Sequence, residues 1–130
     1  MSDTQYLPDQ PVMVMGDQMR IEQVMVNLLR NALDATKSVA DPEVEIILAA
    51  GETATLAVRD NGDGIDDFQS LFEPFYTTKR PGEGVGLGLA ISSGIVNDLG
   101  GRLMARNGQN GGAVFEMQLP ILEGGVEAAE

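Results

Sequence analysis

Residues 17–39, reading DQMRIEQVMVNLLRNALDATKSV, constrain the fold most, because their apolar positions recur at helical spacing. On a helix advancing about 100° per residue, Ile21, Val24, Met25, Leu28, Leu29, Ala32 and Ala35 fill the flank and back. Arg20, Gln23, Asn27, Asn31 and Asp34 fall within roughly 40° of one line. One face therefore belongs to a core and the stripe to something polar. Two short amides one turn apart in mid-helix, where Asn has mediocre propensity, need a reason. Taken alone, two solvated asparagines are the default reading of the pattern.

With 130 residues, 43% of them hydrophobic, the chain suits one domain with a sizeable core. Its net charge of -12, from 8 basic and 20 acidic residues, argues against nucleic acid or an anionic membrane as partner. A polyanionic ligand would need focused local donors. There is no cysteine, so disulfides and thiolate metal sites are excluded, and the compartment leans towards the cytoplasm. There is also no histidine, which excludes a Ser-His-Asp triad, a histidine base and a histidine metal ligand. No apolar run approaches the ~20 residues of a membrane span, and no signal peptide is visible.

Residues 1–10 read as a flexible lead-in and Pro11 to Met15 as a short buried strand ended by Gly16, with Asp17 as N-cap of the helix. Asp41 and Pro42 break the chain. Glu43 to Ala50 and Thr53 to Asp60 are β-rich runs joined by Gly51 and Glu52, a hairpin signal. Asn61 to Gly86 is rich in glycine around an apolar patch at Phe68 to Tyr76, and a segment this long is functional or mobile. Leu87 to Leu99 returns to helical spacing, stopped by Gly100 and Gly101. Strands at Arg102 to Arg106 and Ala113 to Leu119 flank a turn, and residues 121–130 read as a flexible tail.

Three short stretches carry candidate chemistry. In DNGDG, Asp60 to Gly64, a carboxylate at a strand end can accept a hydrogen bond from an exocyclic amine, and glycines let the backbone approach a flat ring; an ordinary strand-to-turn exit reads the same way. In GEGVGLGL, Gly82 to Leu89, spaced glycines entering a helix suit phosphate oxygens. No Lys-Ser or Lys-Thr pair follows, so it is not a Lys-containing P-loop. FEPFYTTK, Phe72 to Lys79, combines an aromatic plug with Thr77, Thr78, Lys79 and Arg80 on a potential phosphate cover.

The order of these features, within about 70 residues, resembles the catalytic ATP-binding domain of sensor histidine kinases from about Val12 to Pro120. That family belongs to the wider ATPase group of DNA gyrase, the ninety-kilodalton heat-shock chaperone and mismatch-repair proteins. NLLRNALDA and FEPFYTTK look most like the nitrogen-regulation and dicarboxylate-transport type. The resemblance implies an α+β two-layer sandwich, the Bergerat fold: a mixed sheet of about five strands with about three helices on one face. It makes residues 11–120 the catalytic domain, with a lid at about 66–86. Asn27 to Ala35 becomes the N box, with Asn31 binding Mg²⁺ through its oxygen and Asn27 near the ion or its waters. Asp60 would contact the adenine amine, with Gly62, Gly64 and Ile65 beside the ring. Phe72 and Phe75 would be the F box. Thr77, Thr78, Lys79 and Arg80 would serve the phosphates, as would Gly84, Val85, Gly86, Leu87, Gly88 and Leu89 of the second glycine box. Gly112 to Phe115, with Ala113, would close the adenine side. The family often has Thr where Ala113 stands, so a hydroxyl near the base is missing here, and Lys where Asp34 stands, whose loss moves phosphate neutralisation towards Lys79 or Arg80.

Hydrolysing relatives carry Glu four residues before the Mg²⁺ asparagine, whereas Asn27 stands there, and an amide cannot take a proton from water. The resemblance thus implies Mg-ATP binding and γ-phosphoryl donation, with Asn27, Asn31 and Lys79 serving catalysis, to a histidine on a separate dimerisation domain. A response regulator would follow indirectly. The fragment would be monomeric and free of membrane contact, in a cytoplasmic compartment, its parent attached to the inner membrane. An anti-sigma-factor-like serine kinase and a degenerate nucleotide-binding docking module are the alternatives.

Overall fold

Leu, Met, Gln, Glu and Ala dominate α1, Gln18–Ala35, so helix propensity and apolar periodicity agree along its length. The computed structural model describes residues 2–6, 18–73 and 88–121, with residues 2–6 as backbone only. Helix α1 stops where Thr36, itself buried, donates its hydroxyl to the Ala32 carbonyl at 3.0 Å and the Leu33 carbonyl at 3.2 Å. This meets carbonyls that a helix end leaves without partners. Asp17, the expected N-cap, lies outside the described residues, as does the expected strand at Pro11 to Met15.

Strands β1 (Ser2–Tyr6), β2 (Glu43–Ala50), β3 (Thr53–Asp60), β4 (Arg102–Asn107) and β5 (Ala113–Pro120) form one sheet in the order β1-β2-β3-β5-β4. Strand β1 runs parallel to β2 and every other pairing is antiparallel, so the sheet is mixed. Helix α2, Gly88–Asp98, ends with Gly101 N–H bonded to the Val96 carbonyl at 2.9 Å and Gly100 N–H to the Asn97 carbonyl at 3.0 Å. These paired bonds around a left-handed Gly100 form a Schellman motif.

Register fixes the two faces. Val44, Asp60, Val58 and Phe115 fall on one side of the sheet, and Glu45, Arg59 and Val114 on the other. Val24, Leu28 and Ala32 of α1 and Ile95 and Val96 of α2 bury against the first side in one cluster with Leu56, Val58, Phe115 and Met117. On the other side, Arg59 Nε meets Glu45 Oε1 at 2.8 Å across the β2–β3 pair. This bond is the leading reason that the Arg59 pKa lies above its ordinary value.

The α+β two-layer sandwich agrees with the expectation, with two helices rather than about three among the described residues. The main correction concerns the lead-in: residues 2–6 are strand β1, not frayed chain. The polar run SDTQY has no apolar alternation to announce a strand. An edge position needs none, because backbone pairing to β2 satisfies the ladder on one side only.

Burial separates two residues of α1 that sequence composition treats alike. Leu28→Ala, at a fully buried position, should lower the unfolding free energy in urea by about 2–5 kcal/mol. Val26→Ala, 49% exposed, should change it by less than about 0.5 kcal/mol. Equal losses from the two would contradict the packing of α1.

Candidate functional site

The site is built where β3 ends on the helix side of the sheet. Asp60 is 2% exposed, yet its side chain is polar and charged, so its surroundings must compensate it. One oxygen, Oδ1, accepts from the Gly62 N–H at 2.8 Å and from the Ala113 N–H at 3.3 Å. Oδ2 has no partner among the described residues. Among the described residues no fully buried side-chain oxygen lacks a partner, so Oδ2 is not wholly sealed from its surroundings. One oxygen is structural and the other is available to a donor. Burial pushes the Asp60 pKa up, and the two backbone hydrogen bonds and nearby Arg59 oppose that shift without cancelling it.

Two close approaches hold this geometry. A Cβ on Gly62 would overlap the Ala35 carbonyl at the end of α1. A Cβ on Gly112, at φ +76, would overlap the Asp60 carbonyl. Asn61, between Asp60 and Gly62, accepts from the Glu43 N–H at 2.9 Å and donates to the Asp41 carbonyl at 2.9 Å. It pins the end of β3 to the connection leaving α1. Ile65 and Phe72 pack on the core cluster, and Leu71 is buried in it, so the chain after Asp60 is anchored by apolar contact.

Beside this corner, α1 and α2 pack together with the polar stripe between them and the site. Asn27 donates from Nδ2 to Ser92 Oγ at 3.1 Å and to the Gly88 carbonyl at 3.4 Å. The carbonyl can only accept, which fixes the amide orientation. Asn31, one turn on, is half-buried and makes no hydrogen bond among the described residues. Its neutral oxygen fits a hard cation already neutralised by phosphates. Arg20, in the same stripe, forms an exposed ion pair with Asp98 at 3.0 Å and so serves the helix pair. Asp34 lies 3.8 Å from Lys37, in the turn just past the end of α1.

Residues 16–123 match the family of histidine kinase-, DNA gyrase B-, and HSP90-like ATPases. The chain belongs to this family. It is 42% identical over 117 residues to the C4-dicarboxylate transport sensor protein DctB of Pseudomonas aeruginosa, covering 87% of this chain and 19% of that protein. With DctB of Rhizobium meliloti it shares 44% over 109 residues, covering 81% of this chain and 17% of the relative. The chain thus spans about a fifth of the length of these curated relatives. Among solved structures, the nucleotide-free catalytic domain of the histidine kinase ThkA superposes with a TM-score of 0.78 at 29% identity, covering 92% of this chain and 79% of that one.

Of the residues singled out from sequence in this ATPase-family domain, the structure brings Asp60, Gly62, Gly64, Ile65 and Ala113 together. It sets Asn27 and Gly88 side by side, with Asn31 one turn along α1. Leu89 packs on the core from the start of α2. Phe75, Thr77, Thr78, Lys79, Arg80, Gly84, Val85, Gly86 and Leu87 lie outside the described residues. Sequence reasoning missed Asn61, Ser92 and Asn107. Both Asn61 and Asn107 precede a glycine at a strand end, Asn61 just after β3 and Asn107 as the last residue of β4, a pattern that reads as a plain turn. Ser92 lies one helical turn after Gly88 and faces the Asn27 amide, a pairing that only the fold reveals. A cleft of about 270 Å³ on the far sheet face, between Arg106, Ile47 and the Glu45–Arg59 pair, lies apart from this corner. None of the described helices is long and apolar enough to cross a membrane.

The raised Asp60 pKa has a definite sign. Between the ordinary carboxylate range and the raised value the native state holds more protons than the unfolded chain, so stability from this group falls as pH rises through that window. Asp60→Asn keeps an acceptor for the two N–H groups and removes the titration. Unfolding of the ligand-free protein at pH 4 and pH 7 should show the variant gaining on the parent at the higher pH. A gain at the lower pH instead would contradict the burial of Asp60 as the dominant influence.

Proposed function

We propose that this chain is the ATP-binding catalytic domain of a two-component sensor histidine kinase. It would bind Mg-ATP and donate the γ-phosphoryl to a histidine on a separate dimerisation domain. The observation that carries the reading is Asp60, a buried carboxylate with one oxygen clamped by two backbone N–H groups and the other open. An adenine amine donates to such an oxygen, whereas the carbonyl at the same place in guanine would meet it acceptor to acceptor.

Asn31 is assigned to the Mg²⁺ that accompanies the phosphates, with Asn27 at its side. Gly62, Gly64, Ile65, Phe72 and Ala113 would frame the base. Gly84, Val85, Gly86, Leu87, Gly88 and Leu89 would cradle the phosphates, with Thr77, Thr78, Lys79 and Arg80 above them. Residues 66–86 are assigned to a cover that excludes water, within a catalytic domain of residues 11–120. The ion would supply charge neutralisation on the transferring group, and the protein would supply position.

The kinase reading over an ATPase reading rests on Asn27. Its amide cannot accept a proton from water, and its N–H groups are committed to Gly88 and Ser92. The chain has no histidine, so the acceptor must come from another domain, as multidomain sensor proteins would provide. A response regulator would take the phosphoryl group from there. The parent protein is assigned to the inner membrane with this domain on the cytoplasmic side, and the isolated domain to a monomer.

Thermal unfolding tests the binding. Mg-ATP at about 100 times its dissociation constant should add about 2.7 kcal/mol, and Asp60→Asn should abolish that gain. Label from the γ-phosphate should move to histidine only when the histidine-bearing domain is added. A full gain in the variant would refute the adenine assignment, and rapid release of phosphate by the fragment alone would refute the role given to Asn27.

A further inference from the structure

We propose that Asn107 is a positioning residue for base recognition, acting on the nucleotide through the backbone of Gly64 and Ile65; this rests on the adenine assignment of Asp60. The Asn107 side chain accepts from the Ile65 N–H through Oδ1 at 2.7 Å and donates through Nδ2 to the Ile65 carbonyl at 3.1 Å. It therefore pairs with both backbone groups of one residue as a neighbouring strand would, although residues 61–65 are not in the sheet.

The connection returns to Asp60 by a second route. Asn107 stands opposite Ala113 in the β4–β5 ladder, and the Ala113 N–H is one of the two donors on Asp60 Oδ1. The other donor, Gly62, lies three residues before Ile65. Asp60, Gly62, Ile65, Asn107 and Ala113 thus form a closed ring that runs once around the corner. The carboxylate is fixed by strand burial, and the loop that would lie under the base is fixed by one side chain from the last residue of β4. Gly64, at φ +85, brings its Cα so near that an added Cβ would lie 2.9 Å from Asn107 Oδ1, so the fit is tight on the side facing β4.

A residue that only stabilised the fold would not distinguish one part of the nucleotide from another. Asn107 touches the segment assigned to the base, not α1 or the start of α2, where the ion and phosphates are assigned. Losing it should therefore weaken every adenine nucleotide by one common factor and blur adenine against guanine.

The test compares Asn107→Ala and Asn107→Asp with the parent protein by calorimetric titration of Mg-ATP, Mg-ADP and Mg-GTP, below the unfolding midpoint of each variant. Asp keeps the acceptor for Ile65 N–H but sets a carboxylate against the Ile65 carbonyl, so it should not rescue. Both variants should lose about tenfold in affinity for ATP and for ADP alike, with a smaller ATP-to-GTP preference. Affinities within twofold of the parent, or a loss confined to ATP, would overturn the proposal. Asp60→Asn measured alongside separates the causes: if it loses binding while both Asn107 variants keep theirs, only the role of Asn107 fails. If Asp60→Asn binds as tightly as the parent, the adenine reading fails and this inference with it.

Discussion

A single buried carboxylate oxygen joins two parts of the chain that lie 53 residues apart. Asp60 Oδ1 takes one N–H from the turn that follows β3 and one from the start of β5. Because the residue is buried, each of these bonds offsets desolvation that water would otherwise have met, and neither can be lost without leaving a charge uncompensated. The same two bonds set where Oδ2 faces. Under the proposed adenine contact, stability and recognition would draw on one side chain, and the rise in its pKa, caused first by burial, marks a position where the fold carries a cost.

The rest of the structure serves to bring that corner against α1. Gly62 approaches the Ala35 carbonyl closely enough that no side chain fits, so the glycine of the turn also sets the distance between the sheet end and the helix. Asn27 does a similar task between the helices, reaching Gly88 and Ser92 from the middle of α1. The polar stripe is therefore divided. Arg20 and Asn27 tie α1 to α2, whereas Asn31, half-buried, and Gln23, exposed, make no side-chain bond among the described residues.

How much of this could be read beforehand depended on the distance over which each signal acts. Strands β2 and β3 were legible to the residue, because alternation and the Gly51–Glu52 turn are local. Asp60 and its glycines were legible as a motif in company with the amide helix. Strand β1 was not, because an edge strand takes its partner from backbone pairing and SDTQY carries no pattern for it. Asn61 and Asn107 were hidden by their own dipeptides: Asn-Gly is so common in turns that the long-range use of the amide, across 20 and 42 residues, leaves no mark on the sequence. Ser92 was hidden inside an apolar helix, where a small hydroxyl reads as filler.

The central claim is that Asp60 meets the base through its open oxygen while its other oxygen stays with the backbone. A crystal structure of the protein with Mg²⁺ and a non-hydrolysable ATP analogue tests this most directly. The account predicts the adenine amine within hydrogen-bonding distance of Oδ2, with the Gly62 and Ala113 bonds to Oδ1 retained. A base seated elsewhere, or an Asp60 whose Oδ1 has released both N–H groups to reach the ligand, would contradict it.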